Sequence, residues 1–184
     1  MIRVGILGFS RRYTTFGEVG LRSWEEAGCA AVEYALMRGN EHIYAMHRPL
    51  VLRITRRGIE RTLRDWCDTP HVKSRCHVIL TVGGTGYSSA DIVPEATFAL
   101  IKREAFGVAE MLRRAAADAG YPLDGASRGV AGIRGKTLLV NIPGSLQGLA
   151  VPEPLMAATR ALLPVLPGLI ASLEPPPPKI EPFY

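Results

Sequence analysis

The stretch with the most chemical content is residues 77–97, HVILTVGGTGYSSADIVPEAT. An apolar run feeds a Gly83-Gly84-Thr85-Gly86 turn, whose glycines would let main-chain amides approach an anion and whose Thr85 adds a hydroxyl donor. Asp91 follows five residues after Gly86, and Pro94-Glu95-Ala96-Thr97 opens a helix whose first amides suit phosphate. These are the parts phosphoryl chemistry needs: amide donors for phosphate oxygens, and a carboxylate to hold Mg2+ or orient the attacking group. On spacing alone, a glycine turn after a strand is equally consistent with a tight structural turn. Asp91 by itself fits a helix-start residue that satisfies free amides better than a catalytic one.

A second stretch, residues 127–145, reads SRGVAGIRGKTLLVNIPGS and closes its strand with Pro143-Gly144-Ser145. Two glycine turns with hydroxyls at the carboxyl edge of one parallel sheet would make a bipartite pocket, a more specific pattern than either turn alone.

Together these blocks resemble the molybdopterin adenylyltransferase family, the MogA/MoaB-type molybdenum cofactor biosynthesis proteins. The shared forms are T-x-GGTG with an Asp before [TV]-P-[DE]-A-T, and S-R-x-x-x-G-I-R-x-x-x-L-[IV]-[VL]-N-[LI]-P-G-S. The match is dense over residues 77–145 and continues through residues 162–167, a span of about half the chain. The resemblance implies a three-layer α/β/α domain with a mostly parallel central sheet, in a homotrimer or a multiple of it. It implies molybdopterin and Mg-ATP as substrates, adenylylation of molybdopterin with release of pyrophosphate, and hand-over to a molybdenum-insertion partner. Gly83, Gly84, Thr85 and Gly86 would form the phosphate- or nucleotide-binding loop. Asp91 would be the essential carboxylate and Mg2+ ligand, and Pro143, Gly144 and Ser145 would line the other half of the pocket.

The chain also departs from the family. A Pro-Asp-Glu turn after the second strand is replaced by Gly39-Asn40-Glu41, so Asn40 and Glu41 mark a second acidic-turn position that has lost a charge useful to Mg2+. Asp-x-Ser-Gly at an early helix start is replaced by Gly17-Glu18-Val19-Gly20, and Leu146-Gln147 stands where Pro-Lys is usual. These changes give the alternative of a catalytically impaired pterin- or nucleotide-binding carrier on the same scaffold. A different nucleotide hydrolase built on this fold is the weaker alternative, because residues 127–145 follow the cofactor-biosynthesis pattern closely.

The elements that must position these residues alternate. Near-continuous apolar runs at 2–7, 31–36, 77–82 and 137–142 read as strands, and residues 19–26, 59–65, 94–103 and 107–119 as helices, with Gly28 and Gly120 just past helix ends. Buried strands interleaved with helices imply a parallel sheet covered on both faces. Residues 38–55 lack a clean period and read as a long excursion. Residues 1–173 then form one domain, and residues 174–184, with five of the 14 prolines, a polyproline-type tail.

Of 184 residues, 47% are hydrophobic, and 22 Lys and Arg against 17 Asp and Glu give a net charge of +5. Residues 48–64 hold six Arg (Arg48, Arg53, Arg56, Arg57, Arg61, Arg64) against Glu60, leaving 16 bases and 16 acids elsewhere. That excludes a nucleic-acid coat, which would be basic throughout. Arg53, Arg57, Arg61 and Arg64 would share a helix face, most simply a solvated one. A functional version puts Arg48, Arg53 or Arg56 at the ligand mouth, replacing the cation lost at Gln147. His42, His47, His71 and His77 lack metal-ligand spacing. Cys29, Cys67 and Cys76, without a CxxC, argue against disulfides and thiolate metal sites. No signal peptide or membrane span is readable, and a reducing cytoplasm fits best.

Overall fold

Strand β4 (Val78–Val82) is buried along its whole length. Its alternate side chains supply two separate cores, which fixes the architecture. Val78, Leu80 and Val82 join a core with residues of helices α1 (Trp24–Gly39), α4 (Phe106–Asp118), α6 (Glu153–Leu162) and α7 (Leu166–Ala171). Ile79 points the other way, into a core with α2 (Arg56–Asp68) and α3 (Val93–Phe98). Period-two alternation on a doubly covered sheet makes both faces apolar, so the three-layer α/β/α arrangement follows from the strand itself. This computed structural model describes residues 1–10, 24–39, 43–45, 49–71, 75–144 and 153–173.

Strand β1 (Ile2–Ser10) lies beside β4 in parallel, and β7 (Thr137–Asn141) lies on the other side of β4, also parallel. Strands β6 (Ala131–Arg134) and β5 (Arg103–Glu104) extend that side antiparallel. The free side of β1 takes two short parallel strands end to end: β2 (Ile43–Ala45) on Ile2–Val4 and β3 (Leu50–Arg53) on Leu7–Ser10. A short helix α5 (Pro122–Gly125) precedes the 127–145 block. No helix among the described residues is long and apolar enough to cross a membrane.

Three expectations need correction. Residues 31–36 are not the second strand but part of α1, where Cys29, Val32 and Leu36 are buried at spacings of three and four. A mostly apolar window of six residues hid the 3.6 period that the full sixteen reveal, and Gly28 lies inside this helix instead of past its end. The 38–55 excursion instead supplies β2 and β3 to the sheet. The helix at 94–103 stops at Phe98, because Lys102 N–H donates to the Ile133 carbonyl (2.9 Å) and the chain leaves to pair with β6. Val19, Asn40, Glu41, Arg48, Ser145, Gln147, His42, His47 and the 174–184 tail lie outside the described residues.

Candidate functional site

Thr81 of β4 is the register partner of Asn141 of β7, and Ile142 N–H donates to the Thr81 carbonyl at 2.9 Å. The chain therefore leaves two adjacent parallel strands at the same edge, as Gly83–Gly86 on one side and Pro143–Gly144 on the other. The expected juxtaposition of two glycine turns is present in the topology, with Pro143 and Gly144 both buried.

The first loop needs its glycines. Gly83 and Gly84 have φ of 91° and 67°, a region other residues rarely adopt, and a Cβ on Gly84 would stand 2.5 Å from Val93 Cγ2. A Cβ at Gly86 would stand 2.8 Å from Asp91 Oδ2, so any side chain there would displace the carboxylate. Asp91 is only 9% exposed; its Oδ2 accepts from Ser88 N–H at 3.0 Å, and its own N–H returns to the Ser88 carbonyl at 2.8 Å. Thr85 is 4% exposed, yet its hydroxyl makes no hydrogen bond in the described structure and stays available as a donor. The main-chain amides of Thr85, Gly86, Tyr87 and Ile92 likewise have no acceptor among the described residues.

The start of α3 contributes less than its sequence suggests. Val93 N–H donates to the Gly84 carbonyl at 3.3 Å, Pro94 has no N–H, and the helix has six residues. Its first turn serves to close the loop against the helix. The donors an anion would meet lie in the loop itself and at Ile92.

Two residues quoted within the second block without a role of their own hold the site together. Arg128 donates through Nε to the Gly86 carbonyl (2.7 Å), through Nη2 to the Asp91 carbonyl and through Nη1 to the Glu95 carboxylate, while its main-chain N–H donates to the Thr85 carbonyl (3.1 Å). Its guanidinium lies 6.0 Å from the Tyr87 ring centre, and the Tyr87 hydroxyl donates to the Ala126 carbonyl at 2.6 Å. Asn141, 1% exposed, donates to the hydroxyls of Thr81 (2.8 Å) and Thr97 (3.0 Å) and accepts from Val130 N–H (3.1 Å). The motif registered both residues as letters; their partners are long-range.

The basic segment divides. Arg53 ends β3, outside the helical stripe to which its spacing assigned it, whereas Arg57, Arg61 and Arg64 do share the exposed side of α2. Arg56 pairs with Glu60 at 2.7 Å, and Arg53, Arg57, Arg61 and Arg64 make no ion pair among the described residues. Ile54 Cδ1 would lie 3.3 Å from a Cβ on Gly84, so the junction between β3 and α2 borders the glycine turn. His77 is at the opposite end of β4, where its Nδ1 accepts from Arg3 N–H at 3.1 Å. No group of three or more His, Cys, Asp or Glu that could hold a metal occurs among the described residues.

Residues 40–163 match the family described as "probable molybdopterin binding domain". The chain belongs to this family. Among solved structures, a MoaB molybdopterin biosynthesis enzyme from Thermus thermophilus is 35% identical, with 94% of this chain and 96% of that one covered and a TM-score of 0.75. A molybdopterin biosynthesis protein from Mycobacterium abscessus is 27% identical, with 93% and 95% covered and a TM-score of 0.70. The molybdopterin adenylyltransferase of Haemophilus influenzae is 38% identical over 86 residues, 47% of this chain and 41% of the relative. That of Helicobacter pylori is 33% identical over 109 residues, 59% and 56%. The chain thus spans about half the length of these curated relatives. In this member of the molybdopterin-binding family, both loops lie within the matched residues, as do Asp91, Arg128 and Asn141.

Proposed function

We propose that the chain acts in molybdenum cofactor biosynthesis by binding molybdopterin and Mg-ATP and adenylylating molybdopterin with release of pyrophosphate. The observation that carries this reading is the pair of turns at one sheet edge, the first presenting the amides of Thr85, Gly86, Tyr87 and Ile92 with no acceptor among the described residues. The relatives named adenylyltransferases support it.

In the proposed reaction an oxygen of the molybdopterin terminal phosphate attacks the α-phosphorus of ATP. A new P–O bond forms, the bond to the β-phosphate oxygen breaks, and pyrophosphate leaves with the electron pair. The protein's part is positioning and charge neutralisation. Loop amides and the Thr85 hydroxyl donate to phosphate oxygens, and Pro143, Gly144 and Ser145 bound the other substrate. The donor set suits magnesium, which binds through one or two carboxylates and completes its shell with water and substrate phosphates, and Asp91 would be that carboxylate. When bound, the ion would supply charge neutralisation at the phosphates. A homotrimer, a molybdenum-insertion partner and a reducing cytoplasm belong to the same reading; the three buried cysteines, none of them in a disulfide, suit the last.

The test is pyrophosphate release from molybdopterin and ATP. Wild-type protein should turn over, and Asp91→Ala should lose roughly a hundredfold or more of the rate. Normal turnover in that variant would remove Asp91 from the chemistry. ATP and molybdopterin binding without pyrophosphate release by the wild type would make the chain a carrier.

A further inference from the structure

We propose that Arg128 is the positioning residue of this site: it holds the carbonyls of the glycine loop on one side so that the loop's amides face a phosphate group on the other. The inference rests on the reading of this loop as a phosphate site.

The geometry follows from peptide planarity. In a trans peptide the carbonyl and the next residue's N–H point in opposite directions, and the described residues contain no cis peptide bond. Arg128 collects the carbonyls of Thr85, Gly86 and Asp91. The N–H groups that follow them therefore point the other way: those of Tyr87 and Ile92 away from the guanidinium, and that of Gly86 away from the Arg128 main-chain amide. These are three of the four loop amides that have no acceptor among the described residues. The fourth, Thr85 N–H, follows the Gly84 carbonyl, which is held by Val93 N–H at 3.3 Å.

Arg128 is suited to shape the loop more than to bind the anion. Its Nε and both Nη groups are already engaged, and the Glu95 carboxylate offsets its charge. The task needs a planar fork that reaches two carbonyls and a carboxylate at once, which a lysine ammonium cannot reproduce. Arginine here is thus a geometric requirement. Preservation of positive charge alone would not meet it.

The experiment measures pyrophosphate affinity by calorimetry on the full chain at fixed ionic strength, for wild type, Arg128→Ala and Arg128→Lys, with melting temperatures recorded in parallel. Both variants should bind roughly tenfold or more weakly, lysine no better than alanine. Millimolar guanidinium should restore part of the affinity of Arg128→Ala, an effect that general loss of stability would not produce. If Arg128→Lys binds like wild type, the positioning role is overturned while the site stands; if wild type binds no pyrophosphate, the site reading falls and takes this proposal with it. Should the Arg128 variants fail to fold, Glu95→Gln, which releases one anchor of the guanidinium from an exposed helix position, should still weaken binding severalfold. Unchanged affinity in Glu95→Gln would then overturn the proposal.

Discussion

Asn141 commits both amide hydrogens and its oxygen inside the protein, and in doing so ties β4, β7, α3 and the segment leading into β6 at the edge where both loops begin. The Thr97 hydroxyl, which accepts from Asn141, itself donates to the Val93 carbonyl at 2.8 Å, so the network extends into the helix behind the glycine turn. Removing the amide leaves buried polar groups without partners, a cost of about 2 kcal/mol. Asn141→Ala should therefore melt roughly 4–8 °C lower by calorimetry, a range set by the entropy of unfolding a domain of this size. Its affinity for pyrophosphate should also weaken, because the loop loses its footing. Unchanged melting would show the network to be dispensable. The sequence made the chemically exposed residues legible, since Gly83–Gly86 and Asp91 are local in the chain and their spacing describes a loop. Asn141 and Arg128 escaped assignment because their meaning lies in partners 33 to 60 residues away, which no local pattern records.

At the scale of elements, β1, β4 and β7 were readable because the interior of a doubly covered parallel sheet demands unbroken apolar runs. β2, β3, β5 and β6 were not, since strands of two to four residues are too short to show a period. The consequence is clearest at β3. Read as a structureless excursion, residues 50–53 left the basic segment without a place; as a strand on Leu7–Ser10, they bring the junction with α2 beside Gly84. Thr55 caps α2, accepting from Gly58 N–H at 3.1 Å, so the helix start is fixed there. Arg53 and Arg57 flank this junction, exposed and without ion pairs among the described residues. The double reversal Arg53→Glu and Arg57→Glu should weaken pyrophosphate binding roughly two- to fivefold at low ionic strength and hardly at all in high salt, as exposed charges act through a screened field. Calorimetric titrations at two salt concentrations check this; equal affinity to wild type at low salt would return the stripe to simple solvation.

For the whole molecule, the division into two cores has a consequence in alkaline solution. The smaller core, under α2 and α3, contains Cys67 and Cys76 as buried free thiols, as the unpaired cysteine count suggested. Burial pushes the Cys67 thiol from 9.0 up to about 12, helped by the neighbouring Asp68 carboxylate, and burial alone raises Cys76 to about 11. Asp68 is in turn held by Arg134, Nη2 to Oδ2 at 2.6 Å, and this hydrogen bond raises the arginine's pKa. A thiol whose pKa is raised on folding binds its proton more tightly in the native state. Its contribution is unchanged below about pH 9, where both states are protonated, and stability is lost as pH climbs toward the folded values. The loss steepens toward about 1.4 kcal/mol per pH unit for each thiol. Urea midpoints should therefore fall between pH 9 and 11, and Cys67→Ala, though less stable at neutral pH because of the space it leaves, should show a shallower decline. Thiol reagents at pH 8 should leave Cys67 and Cys76 unmodified until the protein unfolds. A variant whose midpoint falls as steeply as wild type would place the alkaline sensitivity elsewhere than beneath α2.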